Sequence, residues 1–323
     1  MKIYATVLLV LLLSSFILAN PLLQTRTQVI MGTFASLSLT AKDAPYMTPM
    51  FVRLQEIENA LSSYNPLATL AQLNLKHQIP IDADLVEVLQ QAQALYHESE
   101  GYFDISIGTI SKDLYHFGEE NIGIPSQEAL SHAYIDIKGI EMNATHIRTP
   151  KRVTLDLGGI GKGYGIDALV HLAKEANITE GILALSGDIH CLHSCSIEIQ
   201  SPFTEATFAK VTSQKQSLSL STSGTYRRYA HSQDHHHLIN PKTKTQGKDF
   251  VSVSLFALDN NTKLDALSTA IAVMPKSIAL AFLARHTEIG FILVDKEGDI
   301  YSGNTQGLIT IEYLDRKPKQ SQE

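Results

Sequence analysis

The stretch that most limits how this chain can fold runs from Val153 to Asp167 and reads VTLDLGGIGKGYGID. Five glycines occupy the eight positions 158–165, and the apolar residues that follow are spaced as on one face of a helix. We therefore predict a strand, a tight turn and a helix. Glycine lets the backbone approach a ligand closely, and amides at a helix start favour an anion. The stretch indicates a phosphate-bearing ligand at Gly158 to Lys162, with a ligand-free turn as the alternative.

The glycine turn matches neither of the familiar phosphate loops. A P-loop has a serine or threonine after its lysine, but Gly163 follows Lys162 in this chain. A dinucleotide-binding fingerprint that begins at Gly159 would need its third glycine where Tyr164 stands. The turn by itself therefore leaves open which phosphate ligand it holds.

Helices and strands are mixed along the rest of the chain without strict alternation. Apolar residues at helical spacing predict amphipathic helices at 50–61, 83–97, 264–273 and 277–285. Alternating or short apolar segments predict strands at 27–40, 181–185, 217–222 and 250–257, and a hairpin over 290–302. This mixture favours an α+β fold, with mixed or antiparallel sheets and packed helices, over a doubly wound sheet.

The N-terminus carries a targeting signal. Lys2 is followed by an apolar run from Tyr4 to Leu18, and Ala19 offers a small residue for cleavage. The run is shorter than the ~20 residues of a spanning helix. We expect residues 1–19 to be a signal peptide or an N-terminal anchor, and to be the only part in contact with a membrane. The protein is then exported, to the periplasm or the periplasmic face of the inner membrane.

The remaining length suits one globular domain. Hydrophobic residues make up 44% and charged residues 18% of the 323 residues, which is typical of globular proteins. We predict one domain over residues 20–313, in one or two lobes, and a flexible tail over 314–323. The net charge of -7 and the lack of a basic stripe argue against a nucleic-acid partner.

The chain has two cysteines, Cys191 and Cys195. In an exported protein, a disulfide between them is one interpretation. Two unpaired thiols near a strand end are another. His190 and His193 lie close by, so zinc binding is a third and weaker one.

Three other places carry side chains suited to catalysis or binding. Asp265, Ser268 and Thr269 share one face of a predicted helix, and their oxygens suit Mg²⁺. Asp265 as a helix cap is the alternative. The histidines at 231–237 form a solvated loop, a zinc site or a general base. Tyr64, near a helix end, either stacks on a flat ring or packs on the core.

Taken together and in this order, short motifs spread over roughly residues 28–305 resemble those of the ApbE family, the FAD:protein FMN transferases. The motifs that carry the resemblance are Met31-Gly-Thr33, Ser62-Ser-Tyr64 to Asn74, Gly101-Tyr-Phe-Asp104, Asp156-Leu-Gly-Gly-Ile-Gly-Lys-Gly163, Ser221-Thr-Ser-Gly224 with Tyr226-Arg-Arg-Tyr229, His236-His-Leu-Ile-Asn-Pro241 and Asp265-Ala-Leu-Ser-Thr269. The chain departs from the family pattern at Gly161, where alanine is usual, and at Ser186, where glycine is usual. It also lacks the lipobox cysteine of many members.

The resemblance implies a T-fold-like ApbE architecture and a group transfer. FMN would pass from FAD to a threonine or serine hydroxyl of another exported protein, through a phosphoester bond, with release of AMP. The family's acceptors include subunits of ion-pumping oxidoreductases. Mg²⁺-dependent hydrolysis of FAD to FMN and AMP, and a flavin-binding carrier without turnover, are the alternatives.

The resemblance also implies which residues form the site. His237 matches a histidine proposed to assist proton removal, and Lys162 and Asp265 complete the catalytic set, because Lys162 and Mg²⁺ can neutralise a pyrophosphate. The residues expected to hold Mg²⁺ are Gly161, through its backbone oxygen, Asp265, Ser268 and Thr269. The residues expected to contact FAD are Met31, Tyr64, Tyr102, Phe103, Asp104, Gly158, Tyr164 and Ile239.

Overall fold

The computed structural model describes residues 22–226 and 228–315. The strands are β1 (Leu23–Ile30), β2 (Thr33–Thr40), β3 (Gln78–Pro80), β4 (Glu141–Met142), β5 (His146–Arg148), β6 (Gly181–Leu185), β7 (Asp188–Cys191), β8 (Ser196–Gln200), β9 (Thr207–Ser213), β10 (Leu218–Gly224), β11 (Ile239–Asn240), β12 (Thr245–Gln246), β13 (Phe250–Ala257), β14 (Gly290–Asp295), β15 (Ile300–Gly303) and β16 (Ile309–Tyr313). The α-helices are α1 (Met47–Leu61), α2 (Thr69–Lys76), α3 (Ala83–Glu98), α4 (Gly108–Ser111), α5 (Gln127–His132), α6 (Gly161–Glu175), α7 (Asn261–Val273) and α8 (Lys276–Arg285).

The predicted signal peptide or anchor at 1–19 lies outside the described residues, as do residues 316–323 of the predicted tail. Among the residues that are described, no helix is long and apolar enough to cross a membrane.

One large antiparallel sheet forms the framework of the described chain. Its strand order is β1-β2-β6-β7-β10-β13-β14-β15. Successive side chains of a strand point to opposite faces, so the sheet can bury apolar residues on both sides. Helices α1, α3, α6 and α7 pack on one face, and the small sheet β16-β9-β8 packs on the other. The predicted α+β class with antiparallel sheets is confirmed.

Helices α6 and α7 lie with their backbones in close contact. A methyl group built at Gly163 would fall well inside van der Waals contact of the backbone oxygen of Asn261, so only glycine fits there. Asp167 on α6 accepts hydrogen bonds from the backbone amides of Asn261 and Thr262, at 2.9 and 2.8 Å. These bonds satisfy amides that have no partner within α7. The N-terminal ends of the two helices are therefore fixed side by side.

The prediction of a strand before the glycine turn is wrong, and the prediction of a helix after the turn is confirmed by α6. Residues 153–157 form no strand. Instead, the Asn74 side chain accepts a hydrogen bond from the Leu155 amide at 2.9 Å and donates one to the Leu155 carbonyl at 3.0 Å. The Asp156 amide donates to the Ile105 carbonyl at 2.8 Å. One side chain and one loop thus satisfy the backbone groups that a neighbouring strand would satisfy.

The two cysteines are joined. Cys191, the last residue of β7, forms a disulfide with Cys195. The structure therefore favours the disulfide interpretation over the unpaired thiols and over zinc.

Candidate functional site

The side chains of Lys162, Asp188 and Asp265 meet where α6 and α7 begin, and we call these three residues the dicarboxylate centre. The Lys162 ammonium lies 3.2 Å from both carboxylate oxygens of Asp265 and 3.1 Å from Oδ2 of Asp188. Asp265 also accepts a hydrogen bond from the Gly163 amide at 3.1 Å. Burial would lower the pKa of Lys162, but the two carboxylates outweigh it and raise that pKa above its usual range. Lys162 is therefore a cation at neutral pH.

Asp188 is the member of this centre that sequence reasoning missed. It is buried at the start of β7, with Oδ1 accepting a hydrogen bond from the Ser221 hydroxyl at 2.6 Å. Its Oδ2 lies 3.1 Å from the Lys162 ammonium, its one charged partner among the described residues. Burial and the charge of Asp265 raise the pKa of Asp188 to about 7. The available signal was the sequence Ser186-Gly-Asp188, which puts an acid directly after a buried strand and a tight turn.

The titration of Asp188 should make the folded protein less stable as the pH rises towards neutrality. Its pKa is about 3.9 in an unfolded chain and about 7 in the folded one, so the folded state binds more protons between these values. The contribution of protonated Asp188 to the stability of the folded protein is fully present below about pH 4 and is lost as the pH rises through about 7. The free energy of unfolding, measured in urea at several pH values across this range, should fall as the pH rises. Asp188→Asn should make this fall smaller, and the exposed Asp259→Asn should leave it unchanged. An equal slope in wild type and Asp188→Asn would contradict the raised pKa.

Hydroxyl groups line the space beside Asp265. Ser268 is buried, donates to the backbone oxygen of Asp265 at 2.9 Å and contacts the Ser223 hydroxyl at 2.7 Å. Thr269 lies 3.4 Å from the same Ser223 hydroxyl. A methyl group built at Gly159 would lie 2.8 Å from the Thr269 hydroxyl oxygen. The lack of a side chain at Gly159 therefore lets the glycine turn reach α7 at Thr269.

The four predicted magnesium ligands occupy this one region. Gly161 is the first residue of α6, next to Lys162, and the other three ligands lie on α7 beside it. Within residues 22–226 and 228–315, no group of three or more His, Cys, Asp or Glu is arranged to hold a metal. The predicted set is of another kind, with one carboxylate, two hydroxyls and a backbone oxygen. The zinc interpretation of the histidines at 231–237 finds no support in the described residues.

On the other side of the glycine turn, the Asp156 carboxylate holds the turn in shape. Its Oδ1 accepts a hydrogen bond from the Gly158 amide at 2.9 Å, and its Oδ2 accepts one from the Ser111 hydroxyl at 2.6 Å. Oδ2 also lies 4.0 Å from the Lys112 ammonium. Burial would raise the pKa of Asp156, but Lys112 and these hydrogen bonds hold it below its usual range. Asp156 is therefore ionised at neutral pH, and the Gly158 amide is engaged within the protein.

Tyr64 lies against Lys112. The Lys112 ammonium is 3.7 Å from the centroid of the Tyr64 ring and donates a hydrogen bond to its hydroxyl. The Tyr64 hydroxyl donates to the backbone oxygen of Phe117 at 3.1 Å. The residue is 49% exposed, so the ring keeps surface on which a flat ligand can stack.

His237 is neutral at physiological pH, and its tautomer is defined. Its backbone amide and its Nδ1 lie 3.1 and 3.0 Å from the Arg228 carbonyl oxygen. A carbonyl oxygen only accepts, so Nδ1 carries the proton and Nε2 is the accepting nitrogen. Burial lowers the pKa of His237 to about 4, and the Asp156 carboxylate partly opposes this shift. Its neighbour His236 is buried, with Nε2 3.0 Å from the Gly247 carbonyl, and has a structural role.

Two more groups of predicted flavin contacts lie in the interior. Tyr102, Phe103 and Asp104 are buried after α3, and Asp104 lines a cavity of about 380 Å³. Burial raises the pKa of Asp104 to about 6, although hydrogen bonds from Ser106 oppose this. Tyr164 is buried on α6, and its hydroxyl oxygen lies 2.7 and 3.0 Å from carboxylate oxygens of Asp84 and Glu87 on α3, which share its one proton. The polar end of Tyr164 is therefore engaged away from the dicarboxylate centre.

Met31 and Ile239 complete the predicted set. Met31 forms the β1–β2 turn with Gly32, both with positive φ, and its amide donates to Glu58 at 2.9 Å. Its methyl carbon lies 3.7 Å from a methyl group built at Gly161, so the hairpin turn reaches the start of α6. Ile239 is buried in β11.

This arrangement of sheet and helices has the fold of the flavin transferases. The ApbE protein of Thermotoga maritima superposes with a TM-score of 0.77 at 20% identity, over 88% of this chain and 97% of that one. The flavin transferase ApbE of Vibrio cholerae superposes with a TM-score of 0.71 at 20% identity, over 90% of this chain and 96% of that one.

The chain belongs to the ApbE family, whose sequence profile matches residues 31–293. It is 28% identical over 308 residues to the FAD:protein FMN transferase of Treponema pallidum, with 84% of each chain covered. It is 23% identical over 292 residues to the FAD:protein FMN transferase of Klebsiella pneumoniae, with 87% of this chain and 92% of that one covered. The family resemblance inferred from the motifs is thereby confirmed.

Proposed function

We propose that this protein transfers FMN from FAD to a threonine or serine hydroxyl of an exported acceptor protein, with AMP as the leaving group. The observation that supports this most directly is the dicarboxylate centre at the start of α6, in a chain of the ApbE family. FAD as donor and a protein as acceptor follow the names of the relatives.

The location and the acceptor class are further parts of the proposal. Export to the periplasm or to the periplasmic face of the inner membrane rests on the apolar run before Ala19. The acceptor class, subunits of ion-pumping oxidoreductases, rests on the family resemblance alone.

The residues around Asp265 fit a bound Mg²⁺. The dicarboxylate centre brings two carboxylates to one cation, Lys162, so it carries a net negative charge whenever both carboxylates are ionised. Mg²⁺ takes oxygen ligands, typically one or two carboxylates together with waters and substrate phosphates. When bound it would neutralise charge on the transferring phosphoryl group. The proposed ligands are Asp265, Ser268, Thr269 and the backbone oxygen of Gly161.

His237 is the proposed general base, because it is neutral at pH 7 and its Nε2 can accept a proton. The acceptor hydroxyl oxygen forms a bond to the phosphorus of the FMN half. The bond from that phosphorus to the bridging oxygen of the pyrophosphate breaks, and AMP leaves with this oxygen. The hydroxyl proton passes to Nε2. Lys162 and the Gly163 amide keep the Asp265 carboxylate in one orientation throughout.

The test is to incubate the purified protein with FAD, with and without magnesium chloride and with and without exported proteins of its source cell. We expect covalent flavin fluorescence on an acceptor, and an equal amount of AMP, only when magnesium and the acceptor are both present. Mass spectrometry should locate the added FMN on a threonine or serine. AMP without any acceptor would support FAD hydrolysis instead, and bound FAD without AMP would support a flavin carrier. Either result would overturn the transferase.

A further inference from the structure

The two sides of the glycine turn carry opposite charge. On one side is the dicarboxylate centre, in which Lys162 already has two carboxylate partners and contributes no surplus positive charge. On the other side, the Asp156 carboxylate lies 4.0 Å from the Lys112 ammonium, and the charge of Arg228 also lowers the pKa of Asp156. Anions are therefore attracted to the Asp156 side and cations to the Asp265 side.

Lys112 is the buried cation on the positive side. Its side chain is 9% exposed, and its carboxylate neighbour Asp156 is 4.0 Å away, beyond hydrogen-bond distance. Asp156 uses its oxygens for Ser111 and Gly158 instead. Of the three N–H donors of the ammonium, one reaches the Tyr64 hydroxyl, and the others have no acceptor among the described residues. Burying an ammonium is costly, and here only the Asp156 charge at 4.0 Å and the Tyr64 side chain offset that cost, so a further anion would add to its contacts.

FAD brings such an anion, because its pyrophosphate is negatively charged. The glycine turn leads into α6, and the dipole of a helix favours negative charge near its start. The amides of Gly158, Gly161 and Gly163 already donate within the protein, so the anion needs a cationic side chain. Lys112 lies beside Asp156, which in turn holds Gly158 of the turn. Lys112 is thus linked to the turn through Asp156, on the side away from the dicarboxylate centre.

We propose that Lys112 binds a phosphate oxygen of FAD at the glycine turn, a role that rests on the proposed function. Lys162, which the sequence suggested for this task, serves instead to hold the two carboxylates of the dicarboxylate centre.

Calorimetric titration with three probes tests this role: FAD, riboflavin, which has the flavin ring but no phosphate, and ADP, which has the pyrophosphate but no flavin. Lys112→Met should weaken the binding of FAD and of ADP about 10- to 100-fold, the effect of losing a hydrogen bond to a charged group. Riboflavin binding should not change. Lys112→Gln keeps a donor for the Tyr64 hydroxyl without the charge and should show the same losses. Lys112→Arg should retain most of the affinity for FAD.

The matched control is Lys138→Met, because Lys138 is an exposed lysine with its ammonium 5.7 Å from the ring centroid of Tyr96. It should change none of the three affinities. Unchanged FAD and ADP affinity in both uncharged Lys112 variants would overturn the role of Lys112 and leave the transferase standing, since AMP release is measured separately. Equal losses of affinity for FAD and riboflavin, with ADP affinity unchanged, would also overturn the phosphate-binding role and show that Lys112 acts on the flavin ring. A wild-type protein that binds neither FAD nor ADP would overturn both proposals.

Discussion

Replacing Asp265 by asparagine is expected to reduce FMN transfer at least about 100-fold, the scale seen when one preorganised charge-stabilising group is removed. Asparagine has nearly the same shape and can still accept the hydrogen bond from the Gly163 amide. It removes the charge that Lys162 contacts and that the proposed magnesium site needs. The loss should therefore appear in AMP release and in acceptor labelling, while the circular dichroism spectrum stays that of the wild type.

The control for Asp265→Asn is Asp259→Asn, which removes an exposed carboxylate just before α7. This variant should transfer FMN at the wild-type rate. Near-normal transfer by Asp265→Asn would contradict both the catalytic role and the metal assignment, whereas an unfolded Asp265→Asn protein would show that the carboxylate is needed for the fold first.

Replacing Gly163 by alanine is expected to destabilise the protein by ~3 kcal/mol and to abolish transfer. The added methyl group would overlap the backbone oxygen of Asn261, and a backbone atom cannot move aside as a flexible side chain can. Helices α6 and α7 must separate to make room for it. The expected loss in free energy of unfolding is therefore at the upper end of the range for overpacking a core. Separation also lengthens the bond from the Gly163 amide to Asp265. Thermal unfolding and AMP release measure the two effects.

Gly161→Ala, two residues away on the same helix, is the matched control. A methyl group built there meets only side-chain carbons of Met31 and Leu61, at 3.7 and 3.8 Å, which is ordinary contact. Alanine favours a helix over glycine by up to about 1 kcal/mol, so this variant should be as stable as the wild type or more so. A large loss of stability in Gly161→Ala, or none in Gly163→Ala, would contradict the packing described between α6 and α7.

The sequence predicted α6 well because apolar periodicity is a local property of a helix. Ile166, Leu169 and Val170 are all buried, as their spacing indicated. The error just before α6 has a non-local cause. Leu155 obtains its hydrogen bonds from the side chain of Asn74, 81 residues earlier, and no local pattern shows such a partner.

The candidate site was only partly accessible from the sequence for the same reason. Asp265 and Thr269 could be paired because a helix puts them on one face. Asp188 is the first residue of a short strand and Lys112 follows a four-residue helix, and nothing periodic marks either position. The sign of the charge on each side of the turn depends on which carboxylate each lysine meets, and that becomes visible only in three dimensions.

The backbone contact between α6 and α7 has a consequence for the order in which the protein can acquire its activity. Gly163 and Asp265 are separated by 102 residues along the chain. A chain synthesised from its N-terminus possesses the glycine turn long before it possesses α7, and closing so long a loop is late and entropically costly. A nascent or truncated chain that ends before α7 therefore lacks the Asp265 half of the site, and flavin transfer reports that synthesis has passed α7.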